Sequence, residues 1–124
     1  MKMSRVESGM RGALQFYEAF NRHDVAGMVQ WLNDDCLLET SGPAPGGVVY
    51  TGKEALARYW EEFFRESPGA QMEIEDIFGL GMRVVARWRY TWVDAHEQEG
   101  SVRGVDILRI KDGLISEIVA YQKV

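Results

Sequence analysis

The spacing of the apolar residues changes once along this chain, and that change restricts the possible folds more than any other feature. Before Ser67-Pro68-Gly69 the apolar residues recur at three- and four-residue intervals; after it they alternate every second residue. The first spacing lays side chains along one stripe of a helix, the second along one face of a strand. The expected fold class is therefore α+β, with helices packed on one side of a curled sheet.

Residues 6–22 read as an amphipathic helix, with Val6, Met10, Ala13, Leu14, Tyr17 and Phe20 on the apolar stripe and Arg11, Gln15, Glu18 and Arg22 opposite. Asp24 is a good N-cap for a second helix. In it Val25, Met28, Val29 and Leu32 keep i, i+3, i+4, i+7 spacing until Asn33-Asp34-Asp35 ends it. Residues 36–40 suit a short strand. Residues 41–47, with two prolines and three glycines, are a loop by composition. Thr51-Gly52-Lys53-Glu54 has the capping-box pattern. The helix it opens carries Leu56, Tyr59, Trp60, Phe63 and Phe64 on one face and Lys53, Arg58, Glu61, Glu62 and Arg65 on the other.

Residues 70–78, 82–94, 101–111 and 114–123 read as strands. Gly79-Leu80-Gly81 joins the first two, residues 96–100 make a polar hairpin tip, and Asp112-Gly113 is a two-residue hairpin turn. Consecutive hairpins imply an antiparallel sheet.

At 124 residues the chain has the length of one domain, residues 1–124. A content of 46% hydrophobic and 27% charged residues is that of a globular chain. Fourteen Lys and Arg against nineteen Asp and Glu leave a net charge of −5, which argues against nucleic acid or an anionic membrane surface as partner. Cys36 is the sole cysteine, so no internal disulfide forms. Met1 to Arg5 leads into no apolar leader, and no apolar run spans a bilayer, so a cytoplasmic protein is expected. Two histidines and one cysteine are too few for a His/Cys metal site, and phosphate-binding glycine motifs, HExxH and a nucleophile elbow are absent. No cofactor or metal is expected.

On residues 82–94, Ala86, Trp88, Tyr90 and Trp92 point one way and Arg87, Arg89 and Thr91 the other. Together with the third helix these aromatics form either a packed core or the wall of an apolar pocket. On the next strand Val102, Gly104, Asp106, Leu108 and Ile110 share a face, so Asp106 is a carboxylate among aliphatics. It is either a pocket acid with a raised pKa or one half of an ion pair with an arginine such as Arg89. Glu117 and Tyr121 share a face with Ile115 and Val119 on the last strand. Glu117 and Glu39 are weaker acid/base candidates. His23 reads as a solvated residue ending the first helix, His96 lies in a hairpin tip, and Cys36 reads as a small buried hydrophobe.

These residues resemble the nuclear transport factor 2-like superfamily, in particular its SnoaL-like polyketide cyclase branch. The resemblance spans about residues 8–123. It rests on residues 19–25 (AFNRHDV), 31–36 (WLNDDC), 51–56 (TGKEAL), 103–110 (RGVDILRI) and 111–117 (KDGLISE). It implies a cone-shaped curved antiparallel sheet, a cystatin-like α+β barrel, with three helices closing a pocket over its concave face. It also implies a homodimer formed through the sheet. Asp106 falls where the cyclases carry their acid/base and the isomerases a protonated aspartate. Thr40 stands where the isomerases have their basic aspartate, and Phe16 where they have a tyrosine, with Tyr17 about 100° further round the helix. The residues expected to contact an apolar small molecule are Phe16, Tyr17, Phe20, Tyr59, Trp60, Phe63, Trp88, Tyr90, Trp92, Leu108, Val119 and Tyr121. Two functions are open: acid/base chemistry on an apolar carbonyl compound with Asp106 moving the proton, or a non-catalytic module for ligand binding or dimerisation.

Overall fold

The structure is a computed structural model that describes residues 5–124, leaving out the side chains of Arg5 and Val6. Val6 on the apolar stripe and the leader reading at Met1 to Ser4 therefore lie outside the described residues. In chain order the elements are α1 (Arg5–Asn21), α2 (Val25–Val29), β1 (Leu32–Glu39), β2 (Val49–Thr51), α3 (Lys53–Glu66), β3 (Gln71–Leu80), β4 (Arg83–Val93), β5 (Glu99–Lys111) and β6 (Leu114–Gln122). The six strands form one open, curved sheet in the order β2-β1-β6-β5-β4-β3.

The meander β3 to β6 is antiparallel throughout, as its hairpins require. Asp112 and Gly113 both have positive φ, 53° and 79°, the geometry a tight two-residue hairpin needs. The departure from a purely antiparallel sheet is β1, which lies parallel to β6. Helix α3 and the other four strands separate the two in sequence, so local hairpin logic does not reach this pair.

Three local expectations change. The second helix stops at Val29, and Leu32 opens β1 fully buried, so the strand begins before Asn33-Asp34-Asp35 rather than after it. The capping box does not form: Thr51 lies in β2, and Gly52, at φ 95°, is the N-cap of α3 with no side-chain cap bond. The Gly52 N–H instead donates to the Cys36 carbonyl (2.8 Å), tying the start of α3 to β1. On α1, Leu14 is exposed while Phe16 and Ala19 are buried, so the buried stripe is rotated from the expected one. The α2 cap is as expected, with Asp24 Oδ1 accepting from the Gly27 N–H at 3.0 Å, a contact worth about 1 kcal/mol.

The core lies between the helices and the inner face of the sheet. Leu56, Trp60 and Phe64 of α3 meet Phe16 and Phe20 of α1, with Phe16–Trp60 and Phe20–Phe64 edge-on at 5.4 and 5.0 Å. Each such side chain contributes roughly 1.5–3 kcal/mol by leaving water. The outer face is different. Phe78, Val85, Ile107 and Val119 stand in register across four strands as an apolar row, with Phe78 and Ile107 exposed. Beside this row Glu75 accepts from Arg103 Nε at 2.9 Å and lies 3.9 Å from Arg89. The hydrogen bond from Arg103 and the nearby guanidinium charges hold the Glu75 carboxyl below its usual range.

Candidate functional site

Where α1 and α3 do not fill the sheet's inner face, a cavity of about 690 Å³ remains. Its helix side is Phe16, Tyr17, Phe20, Tyr59, Trp60 and Phe63; its sheet side is Trp88, Tyr90, Trp92, Val102, Ile118 and Ala120. Thr40, Ser41 and Gly42 lie at the rim with Ser101, Gln122 and Lys123. A volume of this size is ordinary for a small-molecule site.

Asp106 sits in the wall, nearly fully buried. It is the only acidic side chain lining the cavity among the described residues. Strand alternation puts Arg89 and Arg103 on the opposite face, where Glu75 engages both, so no guanidinium offsets the buried Asp106. Its partner is Tyr17 of α1, whose hydroxyl donates to Asp106 Oδ2 at 2.6 Å. Burial raises the carboxyl pKa from 3.8 to about 6 and outweighs the Tyr17 bond, which favours the charged form. The Trp88 N–H, directed at the carboxyl, favours the charged form as well. Burial, followed by the nearby carboxylate, keeps the Tyr17 phenol well above its ordinary pKa, so it stays a donor. Tyr59 is pushed up to about 12, first by burial and then by Tyr50, Tyr90 and Asp106.

Gly104 fixes the position of Trp88. The two residues are paired across β4 and β5, and a Cβ on Gly104 would lie 2.4 Å from the indole six-membered ring and 2.3 Å from the Tyr121 carbonyl oxygen. The indole lies against a residue without a side chain. Trp92 lies over Gly100 in the same way.

A SnoaL-like domain model matches residues 13–118. The chain belongs to the SnoaL-like family. This SnoaL-like protein is similar over its whole length to a nuclear transport factor 2-like protein of unknown function from Mesorhizobium loti, with 31% identity, 100% of this chain and 98% of that one covered, and a TM-score of 0.83. A protein named as a polyketide cyclase from Xanthomonas campestris pv. campestris shares 23% identity over 97% of this chain and 93% of that one, at a TM-score of 0.80. One named as a ketosteroid isomerase from Kribbella flavida shares 20% over 99% and 83%, also at 0.80. At those identities the last two establish the fold alone. No curated protein sequence matches.

The SnoaL-like fold brings together most of the expected lining, but not Leu108, Val119 or Tyr121. Leu108 faces inward yet is fully packed between Val84 and Ile118, beneath the cavity rather than beside it. Val119 and Tyr121 lie on the outer face, Tyr121 being 55% exposed. The cause is an irregularity in β6: Arg109 pairs with Glu117 but Ile110 with Ile115, so Ser116 is an extra residue and Ile115 and Ile118 both face inward. Past that bulge the inner residues are Ile118, Ala120 and Gln122. Glu117 shares the outer face with Arg109, and Glu39 does not line the cavity. His23 is packed rather than solvated: its ring stacks on Phe64 at 4.3 Å and Nε2 lies 2.7 Å from the Ala70 carbonyl oxygen. His96 is at the exposed tip as expected. Thr40 Oγ1 is taken up by its own loop, donating to the Gly42 carbonyl and accepting from the Val48 N–H. Cys36 is buried, its thiol pushed up to about 12 by burial and then by Glu117.

Leu38 and Met72 also line the cavity. Their strands were legible, but which face turns inward follows from pairings remote in sequence. Among the described residues no three His, Cys, Asp or Glu side chains cluster as metal ligands, and no helix is long and apolar enough to cross a membrane.

Proposed function

We propose that this protein binds an apolar carbonyl compound in the aromatic cavity and moves a proton on it with Asp106. The observation that carries this reading is a buried carboxyl, with a tyrosine for a partner and no arginine, on the wall of an apolar cavity. With a pKa of about 6, Asp106 is mostly ionised at neutral pH and a stronger base than an ordinary aspartate. Tyr17 donates to Oδ2 and so fixes the orientation of the carboxyl on the cavity wall. Asp106 takes a proton from the carbon next to the carbonyl, and the C–H electron pair moves into the enolate with charge on the oxygen. Asp106 exchanges that proton with water and returns one to carbon, so nothing is consumed and no cofactor is needed. Isomerisation and ring closure both begin with this step.

The test is exchange of the α-protons of 1-tetralone in D₂O, followed by proton NMR. Wild type should exceed the buffer rate and Asp106→Asn should not. Equal rates for the two proteins would overturn the reading. The alternative, a non-catalytic binding module, is favoured by the absence of a second acidic or histidine side chain among the described lining; it predicts binding without exchange. We also propose a homodimer in which a second copy of the chain covers the outer apolar row of Phe78, Val85, Ile107 and Val119, and a cytoplasmic location.

A further inference from the structure

Proton removal beside a carbonyl leaves negative charge on oxygen, and Asp106 cannot both take the proton and hold that charge. A second group must meet the oxygen. Among the described residues three tyrosines line the cavity, Tyr17, Tyr59 and Tyr90. Two of them are engaged: Tyr17 donates to Asp106 Oδ2 at 2.6 Å, and Ser67 acts on the Tyr90 hydroxyl. Tyr59 differs from both. Among the described residues its hydroxyl makes no hydrogen bond, and it is not one of the polar atoms sealed inside the protein. Tyr59 stands on α3 and Asp106 on β5, so the two reach one cavity from opposite walls.

We propose that the Tyr59 hydroxyl is the donor that takes the ligand's carbonyl oxygen and stabilises the charge that collects there. This rests on the reading of the cavity as a site for an apolar carbonyl compound. Burial and then Tyr50, Tyr90 and Asp106 push the Tyr59 phenol up to about 12, so it donates a hydrogen bond and keeps its proton. Tyr90 and Asp106 both stand in the cavity wall, and their action on the phenol puts the hydroxyl on the cavity side. The ring packs against Tyr50 at 4.7 Å and Phe63 at 6.1 Å. The donor is therefore in place before charge develops, and little reorganisation accompanies the step. Asp106 and Tyr59 have separate tasks, one on the C–H bond and the other on the oxygen. Together they turn the ligand's α-carbon towards the sheet and its oxygen towards α3. A hydrocarbon of the same shape leaves the hydroxyl without an acceptor, so the site selects the ketone.

The experiment compares 1-tetralone with tetralin, which lacks the oxygen, by NMR titration of wild type and Tyr59→Phe. The substitution keeps the ring and removes the hydroxyl. Tyr59→Phe should bind tetralone about fivefold more weakly and tetralin within about twofold of wild type. Its kcat for α-proton exchange should fall about a hundredfold, more than its KM changes. The infrared carbonyl stretch of bound 1-tetralone is a second readout, taken at pH 8, where Asp106 is ionised and donates nothing. It should lie below its value in cyclohexane with wild type and return most of the way in Tyr59→Phe. Should the variant not fold, the wild-type stretch alone decides. Equal losses for both probes, a stretch unmoved in wild type, or one that stays low in the variant overturn the Tyr59 assignment and leave the apolar cavity standing. If wild type binds tetralone without exchanging its protons, the role of Asp106 fails, and the binding and infrared results still decide for Tyr59. If wild type binds neither probe, the cavity reading fails and this assignment with it.

Discussion

Replacing Asp106 by asparagine should make the protein more stable relative to wild type as the pH rises, the reverse of what loss of an ion pair does. The folded carboxyl has a pKa of about 6 against 3.8 when free. A gap of roughly two units corresponds to about 3 kcal/mol between the protonated and ionised forms. The folded pKa is the higher one, so the native state binds the proton more tightly than the unfolded chain. Stability from this group is fully present below the unfolded value and is lost as pH rises through the folded one. About 2 kcal/mol of that loss should fall between pH 4 and pH 7. The amide that replaces the carboxyl does not titrate, and its carbonyl can still accept from Tyr17. Urea denaturation of both proteins from pH 4 to pH 8 isolates the effect, since every other titrating group is common to the two. The stability of Asp106→Asn minus that of wild type should rise by about 2 kcal/mol across the interval. A difference that is flat, or that falls with pH, would refute the argument and mean that a nearby cation compensates the carboxylate.

Tyr17→Phe removes a donor to the charged carboxyl, so the Asp106 pKa should rise beyond about 6; stability at pH 8 should drop by about 1–2 kcal/mol, and carboxyl ¹³C NMR should report the higher titration midpoint. Gly104→Ala places a methyl against the Tyr121 carbonyl and the Trp88 ring, so denaturation should show a loss of about 3 kcal/mol or more. Cys36, buried with its thiol near 12, should resist Ellman's reagent at pH 8 in the native protein and react fully in urea; rapid native labelling would contradict the burial. Sedimentation at micromolar concentration should give a dimer, and Ile107→Asp, which breaks the outer apolar row, should give a monomer; a wild-type monomer of 14.1 kDa would refute the sheet-face pairing.

Much of this architecture follows from local chemistry. Side-chain period is a property of consecutive residues, so the switch at Ser67-Pro68-Gly69 separates three helices from a meander without knowledge of any distant contact. Alternation likewise sorts β4 and β5 into an inner face with Trp88 and Asp106 and an outer face with Arg89 and Arg103. Asp112-Gly113 determines its own turn because its positive φ angles are a local matter. What depends on contacts between remote segments was decided by the tertiary structure. The parallel pairing of β1 with β6 converts Leu32 from a helix residue to a strand residue. One extra residue at Ser116 turns Val119 and Tyr121 outward, because alternation beyond a bulge is reversed for every following side chain. The choice between a pocket acid and an ion pair turned on Tyr17, 89 positions from Asp106, reaching the carboxyl while Glu75 engages the arginines on the other face. Periodicity records which face a side chain takes, but the energy of a buried charge depends on what the opposite element brings to it.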